Sequence, residues 1–218
     1  MKILSYKVIS GQIECVTGLH IGGSADQIEI GGVDLPIIKH PVSEEPYIPG
    51  SSLKGKMRSQ LEKKLGKFDV KGEPCGCGNK SCLICTIFGA HKNTRHDLGS
   101  TRIIVRDACL SNESRNAYKE MMEQKGTTYI EKKIENIVNR KTGTAEHPRS
   151  QERVPSGAKF DFEIVLQIYD GDDEQSLIDF VKSGLRDVQM TYLGGYGSRG
   201  SGQVKFTGMK LDGQQFSI

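Results

Sequence analysis

At 218 residues, 36% hydrophobic and 26% charged, the chain fits one domain with room for insertions, and it suffices for a sizeable core. It has no 18-residue apolar run, so no membrane span is expected, and the alternating start MKILSYKVISGQIEC reads as a strand, not a secretory signal. A net charge of +3 names no partner, but a cytoplasmic location follows, with reduced cysteines instead of disulfides.

Charge is unevenly spread. Residues 54–67 carry Lys54, Lys56, Arg58, Lys63, Lys64 and Lys67 against Glu62 alone, whereas residues 161–187 are mostly acidic. Such asymmetry suits a nucleic-acid face opposite a solvent face, and it equally suits two solvated helix faces.

Residues 4–16 alternate with period two and predict a first strand. A long loop runs from there to Pro49. The next stretch predicts a helix, with Ser51 or Ser52 as N-cap, Leu53, Met57, Leu61 and Leu65 as one buried stripe, and Gly66 as its stop. Lys54 and Arg58 are four apart and share a face beside that stripe. Residues 101–109 predict a second strand and 112–124 a short helix. Residues 127–153 are polar without a clean period and read as a hairpin or protruding loop. KFDFEIVLQIYD, 159–170, is the strongest strand signal, followed by a helix over 173–190 and a closing strand over 202–212. The order strand, helix, strand, insertion, strand, helix, strand is that of an α+β, ferredoxin-like (RRM-like) fold on an antiparallel sheet.

Cys75, Cys77, Cys82 and Cys85 lie in PCGCGNKSCLIC. Four thiols this close in a reducing compartment point to one tetrahedral metal, with zinc as the default and His91 as a substitute ligand. A closed four-cysteine site has no open position, so it would be structural. Cys15 and Cys109 fall on predicted strands and are expected in the core.

Two loops carry chemistry. In GGVDLPIIKHP, 31–41, Asp34 sits among turn formers, which is ordinary turn chemistry on local grounds. In YLGGYGSRGSG, 192–202, glycines would let backbone N–H groups approach phosphates, Arg199 would add a charged fork and Tyr196 a stacking ring, although a flexible turn is an equal reading. The stretch lacks a Walker lysine and opens no helix, so it is no mononucleotide loop.

Four stretches in order, LHIGG (19–23), IPGSSLKGKMR (48–58), EKKIENIVNRKTGTAEHPRSQERV (131–154) and YLGGYGSRGSG (192–202), give the chain a specific resemblance. Together they resemble the backbone subunits of type III-A CRISPR Csm effector complexes, members of the RAMP superfamily, over essentially the whole length. The resemblance implies a single RAMP domain over 1–218: an RRM-like palm, a lid of insertions and a thumb hairpin at 127–153; the four-cysteine metal knuckle falls in the insertion at 70–92. It implies several copies in a filament along one CRISPR RNA, bound to other Csm subunits and cutting guide-paired target RNA. Asp34, in the stretch matching GGVDLP, would be the catalytic residue, either accepting the proton of the attacking 2′-hydroxyl or holding the Mg2+ or other divalent ion expected for cleavage. His20, Lys54, Arg58, Lys133, Asn136, Arg140, Arg149, Arg153, Gly195, Gly197 and Arg199 would contact RNA. The cysteine cluster departs from the family's common pattern, and the resemblance leaves it a stabilising role in the lid. A guide-binding subunit that does not cut and a CRISPR-RNA processing endonuclease are the competing functions.

Overall fold

The computed structural model describes residues 2–23, 34–126 and 129–218. Gly31, Gly32 and Val33 of the aspartate loop and the first two residues of the expected hairpin, 127 and 128, lie outside the described residues.

The chain builds one antiparallel sheet with helices packed on it. Strand β1 (Ile3–Cys15) leads by way of a short β2 (Tyr47–Ile48) into α1 (Gly50–Leu65). A six-residue α2 (Leu83–Phe88), which the sequence reading missed, follows the cysteine loop. Then come β3 (Ile103–Val105), β4 (Ala108–Leu110), α3 (Asn112–Lys125), β5 (Glu131–Val138), β6 (Ala145–Arg153), β7 (Lys159–Tyr169), α4 (Glu174–Met190), β8 (Val204–Leu211) and β9 (Gln214–Gln215). In the main sheet the order is β2-β4-β7-β1-β8-β9, with β3 also on β7. Strands β5 and β6 form a separate two-stranded hairpin.

Alternation makes the core. Along β7, Phe160, Phe162, Ile164, Leu166 and Ile168 are buried on one face. They meet Ile9 and Ile13 of β1 and Val204 and Phe206 of β8. Each such side chain contributes about 1.5–3 kcal/mol by leaving water. In β8 the buried set shifts register from Phe206 to Met209, where the β1–β8 pairing is bulged between Ser10 and Gln12.

Helix α4 lays Leu177, Val181, Leu185 and Val188 against the sheet. Its Asp173 is the N-cap and accepts from the Ser176 N–H. Gly184 permits close approach of α1: a Cβ there would stand 3.1 Å from Leu61 Cδ1. Helix α1 buries Leu53, Met57 and Leu61, but Leu65 is half exposed, so the expected stripe ends one turn early.

The second expected strand, 101–109, is two strands. It breaks at Arg106–Asp107 because Asp107 has another partner: its Oδ1 accepts from the Gly50 N–H at 2.7 Å. That carboxylate caps α1 from across the fold, so neither Ser51 nor Ser52 is the N-cap; the helix begins at Gly50 after Pro49. It ends as expected at Gly66, at φ 62. Cys15 is buried, but Cys109 is exposed, since β4 places it on the face away from Ala108 and Leu110.

Candidate RNA-binding and cleavage site

Three segments converge at the sheet end where β1 stops and β7 and β8 begin. Leu19 and Val154 exchange backbone hydrogen bonds at 2.9 and 2.8 Å. Val16 N–H donates to Gln203 O, and Gly202 N–H donates to Gly18 O. The loop after β1, the end of β6 and the glycine loop before β8 therefore form one platform. The hairpin stands on it, because β6 runs directly into Val154.

His20 lies at the centre. It is 5% exposed, and its Nδ1 lies 2.7 Å from Glu152 O. Its ring meets Tyr196 edge-on, with centroids 5.0 Å apart. The Gly195 N–H donates to His20 O at 2.9 Å, so it is spent on the fold and not offered to a phosphate. Gly194, at φ 72, is needed there: a Cβ would stand 2.2 Å from His20 O. A Cβ on Gly197 would lie inside the Tyr192 ring, over which Lys56 Nζ sits 3.2 Å from the centroid.

The same platform aims Asp34. Glu152 N–H donates to Leu35 O at 3.0 Å, and Glu152 Oε2 accepts from Ile37 N–H at 3.1 Å, so the segment next to Asp34 is stitched to β6. Asp34 Oδ2 accepts from Ser150 N–H at 2.8 Å and Ser150 Oγ at 3.0 Å. Those two bonds, the backbone one foremost, hold the exposed Asp34 carboxyl below its ordinary range.

Leu35 also lines a cavity of about 150 Å³ with Asn136, His147, Arg149, Tyr196 and Arg199. The sequence reading missed His147. It stands at φ 51, where β6 carries one residue more than β5 between the Glu135–Arg149 and Ile137–Glu146 pairs.

The cations divide into free and committed ones. Arg199 Nε pairs with Glu135 at 3.0 Å, and its guanidinium lies 4.5 Å from the Tyr196 ring centre. Lys133 pairs with Glu135 at 2.9 Å and donates to Arg199 O at 2.9 Å. Arg153 pairs with Glu131 and reaches Ser201 Oγ at 3.3 Å. These contacts fasten the hairpin root to the glycine loop. Arg140, by contrast, turns back on Val138 O near the hairpin tip, while Arg149 is exposed. No carboxylate pairs with Lys54 among the described residues; partial burial, then the neighbouring Arg58 charge, pushes its pKa down. A cation held in that state is stabilised by an incoming anion. Arg58 is different: Nε binds Glu62 Oε1 and Nη2 binds Cys75 O, both at 2.8 Å.

The four cysteine sulfurs lie within 4.8 Å of one another. Cys75–Cys82, Cys77–Cys85 and Cys75–Cys85 are 3.9, 3.6 and 3.6 Å apart. Four thiolates about 2.3 Å from a tetrahedral zinc would be roughly 3.8 Å apart, so the cradle fits that ion. The backbone N–H of Asn79 brings the Cys77 thiol down to about 7. His91 is not in the cluster; its Nε2 faces Glu73 at 3.4 Å, and its N–H donates to Cys75 O.

The chain belongs to the RAMP superfamily, whose sequence profile matches residues 12–205. Within it the relatives are Csm3 proteins. The chain is 48% identical to the CRISPR system Cms endoribonuclease Csm3 of Methanothermobacter thermautotrophicus, covering 97% of this chain and 87% of that one. It is 42% identical to the protein of the same description from Methanocaldococcus jannaschii, covering 94% and 79%. A crystal structure of a Csm3–Csm4 subcomplex of the type III-A CRISPR-Cas interference complex matches with TM-score 0.61 and 32% identity, over 97% of this chain and 80% of that chain. Among the described residues no helix is long and apolar enough to cross a membrane.

Proposed function

We propose that the chain is a CRISPR-RNA-binding backbone subunit of a type III-A effector complex, and that it cleaves guide-paired target RNA. The carrying observation is Asp34, pinned by Ser150 beside a cleft that exposes Arg149 and is lined by Tyr196 and Arg199. In this reading the main sheet with α1 and α4 is a ferredoxin-like palm, since β1, β4, β7 and β8 take the order 4-7-1-8. Residues 70–92 form a zinc-knuckled lid, and 127–153 form a thumb that enters the guide–target duplex. Copies stack as a filament along one CRISPR RNA with other Csm subunits, in the cytoplasm.

Guide contacts fall to Lys54, with Asn136, Arg140 and Arg149 on the thumb. His20, Lys133, Arg153, Gly195, Gly197 and Arg199 build the platform that backbone phosphates lie against. Sequence is read by base pairing, and the protein reads backbone and shape. In cleavage the ribose 2′-oxygen forms a bond to the adjacent phosphorus. The bond to the 5′-oxygen breaks, that oxygen takes a proton, and the 2′-hydroxyl gives one up. The products are a 2′,3′-cyclic phosphate and a 5′-hydroxyl. A carboxylate with a lowered pKa is a weak proton acceptor at neutral pH. Asp34 is therefore suited to holding Mg2+ or another divalent ion against the phosphate. That ion would offset the charge of the reacting phosphate.

The test uses the assembled complex with a guide, and paired RNA and DNA targets. Parental complex should cut RNA to those products and leave DNA whole; Asp34→Ala should bind target and not cut. Cutting by Asp34→Ala at the parental rate would make Asp34 a turn residue and favour the non-cutting backbone subunit.

A further inference from the structure

We propose that Arg58 is a positioning residue for the four-cysteine site, and that through it metal occupancy there sets how α1 presents Lys54 to guide RNA. The second half rests on the guide-binding reading above; the first does not.

The Cys75 peptide is gripped on both sides by α1. Its N–H donates to Glu62 Oε1 at 2.9 Å, and its carbonyl accepts from Arg58 Nη2 at 2.8 Å. Arg58 Nε closes the triangle on the same Glu62 oxygen at 2.8 Å. The Arg58 and Glu62 side chains are 16% and 7% exposed. A buried pair of charges persists only when its hydrogen bonds are met, and here the third partner is the peptide of a metal ligand. Cys85 Sγ also lies 3.5 Å from Cys75 O, so the clamped peptide touches a second thiol of the cluster.

This disposes of the guanidinium. With Nε and one terminal nitrogen committed to Glu62 and Cys75, Arg58 is not a free phosphate fork like an arginine on an open helix face. A phosphate contact would accept lysine with modest loss, because charge is what it needs. The clamp would not, because an ammonium cannot span a carboxylate and a carbonyl with the planar fork of arginine. Lys54 sits one turn before Arg58 and feels its charge. Freeing the knuckle from α1 releases Arg58 and so alters the surroundings of Lys54.

The first arm needs no RNA. Zinc-loaded protein is challenged with a chromogenic chelator, and zinc release is timed. Arg58→Lys should release zinc at least ten-fold faster than the parent, while Lys54→Ala should match the parent. Release at the parental rate from Arg58→Lys, or a protein that takes up no zinc, overturns the assignment of Arg58. The second arm measures guide-RNA affinity of parent and Lys54→Ala, each with zinc and after its removal. Removal should weaken the parent several-fold and Lys54→Ala much less. Equal weakening in both overturns the coupling. If zinc-loaded parent binds no guide RNA, the guide-binding reading and the coupling fall together, and the role of Arg58 in the first arm stands.

Discussion

Ser150 holds Asp34 through two donors at once, its backbone N–H at 2.8 Å and its hydroxyl at 3.0 Å, both on Oδ2. One carboxylate oxygen is thus occupied by the hairpin strand. Asp34→Ala should abolish cutting and leave target affinity at or above the parental value, since a carboxylate repels phosphate. Ser150→Ala removes one of the two donors and loosens the aim. Misplacement of a catalytic group on the ångström scale costs roughly 10–100-fold in rate. Single-turnover cleavage of both variants in the assembled complex checks this: an intermediate rate for Ser150→Ala is expected, and a parental rate would show that the tether is idle.

The same bonds fix the pH dependence. Asp34 titrates below its ordinary value of 3.8, through the Ser150 backbone and then its hydroxyl. A carboxyl whose folded pKa is depressed stabilises the fold fully above its unfolded pKa, about 3.9, and loses that contribution as pH falls through the folded value. Asp34 therefore stays ionised from pH 5 to 8, and a cleavage profile over that range carries no inflection from it. Following the Asp34 carboxyl carbon by NMR should give a titration midpoint below 3.8, and Ser150→Ala should raise it.

Cys82→Ser removes one ligand from a cluster, three of its four cysteines buried, whose thiol spacing matches a tetrahedral ion. The expected outcome is one zinc per parental chain and little or none in the variant, with a lower thermal midpoint. The cleft at Asp34 is built on different elements, so cutting by folded, assembled variant should persist. Elemental analysis and a melting curve measure the first two, and a cleavage assay at low temperature the third.

Legibility followed the range of the interaction. The strands 4–16, 159–170 and 202–212 and the helix 173–190 were readable because alternation and helical spacing are local signals, and the sheet honours them. The four-cysteine cluster was readable because all four ligands fall within eleven residues. What needed coordinates was every contact across the chain. Asp107 capping α1 lies 57 residues from Gly50, and it splits a strand that reads as continuous. Arg58 looks like an open cation on a helix face, and only the fold of the cysteine loop shows it spoken for. Asp34 carries no local mark of what holds it; its partner Ser150 lies 116 residues away. The bulge that turns His147 toward the cleft has no sequence signal beyond a neighbouring proline.

Among the described residues Arg102 and Asp172 form the most deeply buried ion pair, with side chains 5% and 9% exposed and both nitrogen–oxygen distances 2.9 Å. Arg102 Nη1 also donates to Leu98 O and Ser100 O, so it ties the approach to β3 to the turn after β7. Arg102→Ala leaves a buried carboxylate and two carbonyls without their donor. The expected loss is about 3–5 kcal/mol in urea unfolding. A loss under about 1 kcal/mol would mean that water reaches the vacated site.

Two glycines of one loop separate strain from collision. Gly194 and Gly200 both have positive φ, 72 and 84, so alanine at either pays for a left-handed backbone, roughly 1–2 kcal/mol. Beyond that they differ. A Cβ at Gly200 has nothing within 4 Å, whereas one at Gly194 stands 2.2 Å from His20 O. That oxygen is the acceptor of the Gly195 N–H, and His20 in turn holds Glu152 O and meets Tyr196. Alanine at 194 must push the glycine loop off the platform and carry Tyr196 and Arg199 with it. Gly194→Ala should therefore lose guide-RNA affinity by ten-fold or more, while Gly200→Ala should lose stability alone and bind within about two-fold of the parent. Binding of both variants at a temperature where each is fully folded decides it. Equal affinities would show that RNA does not use the placement of this loop.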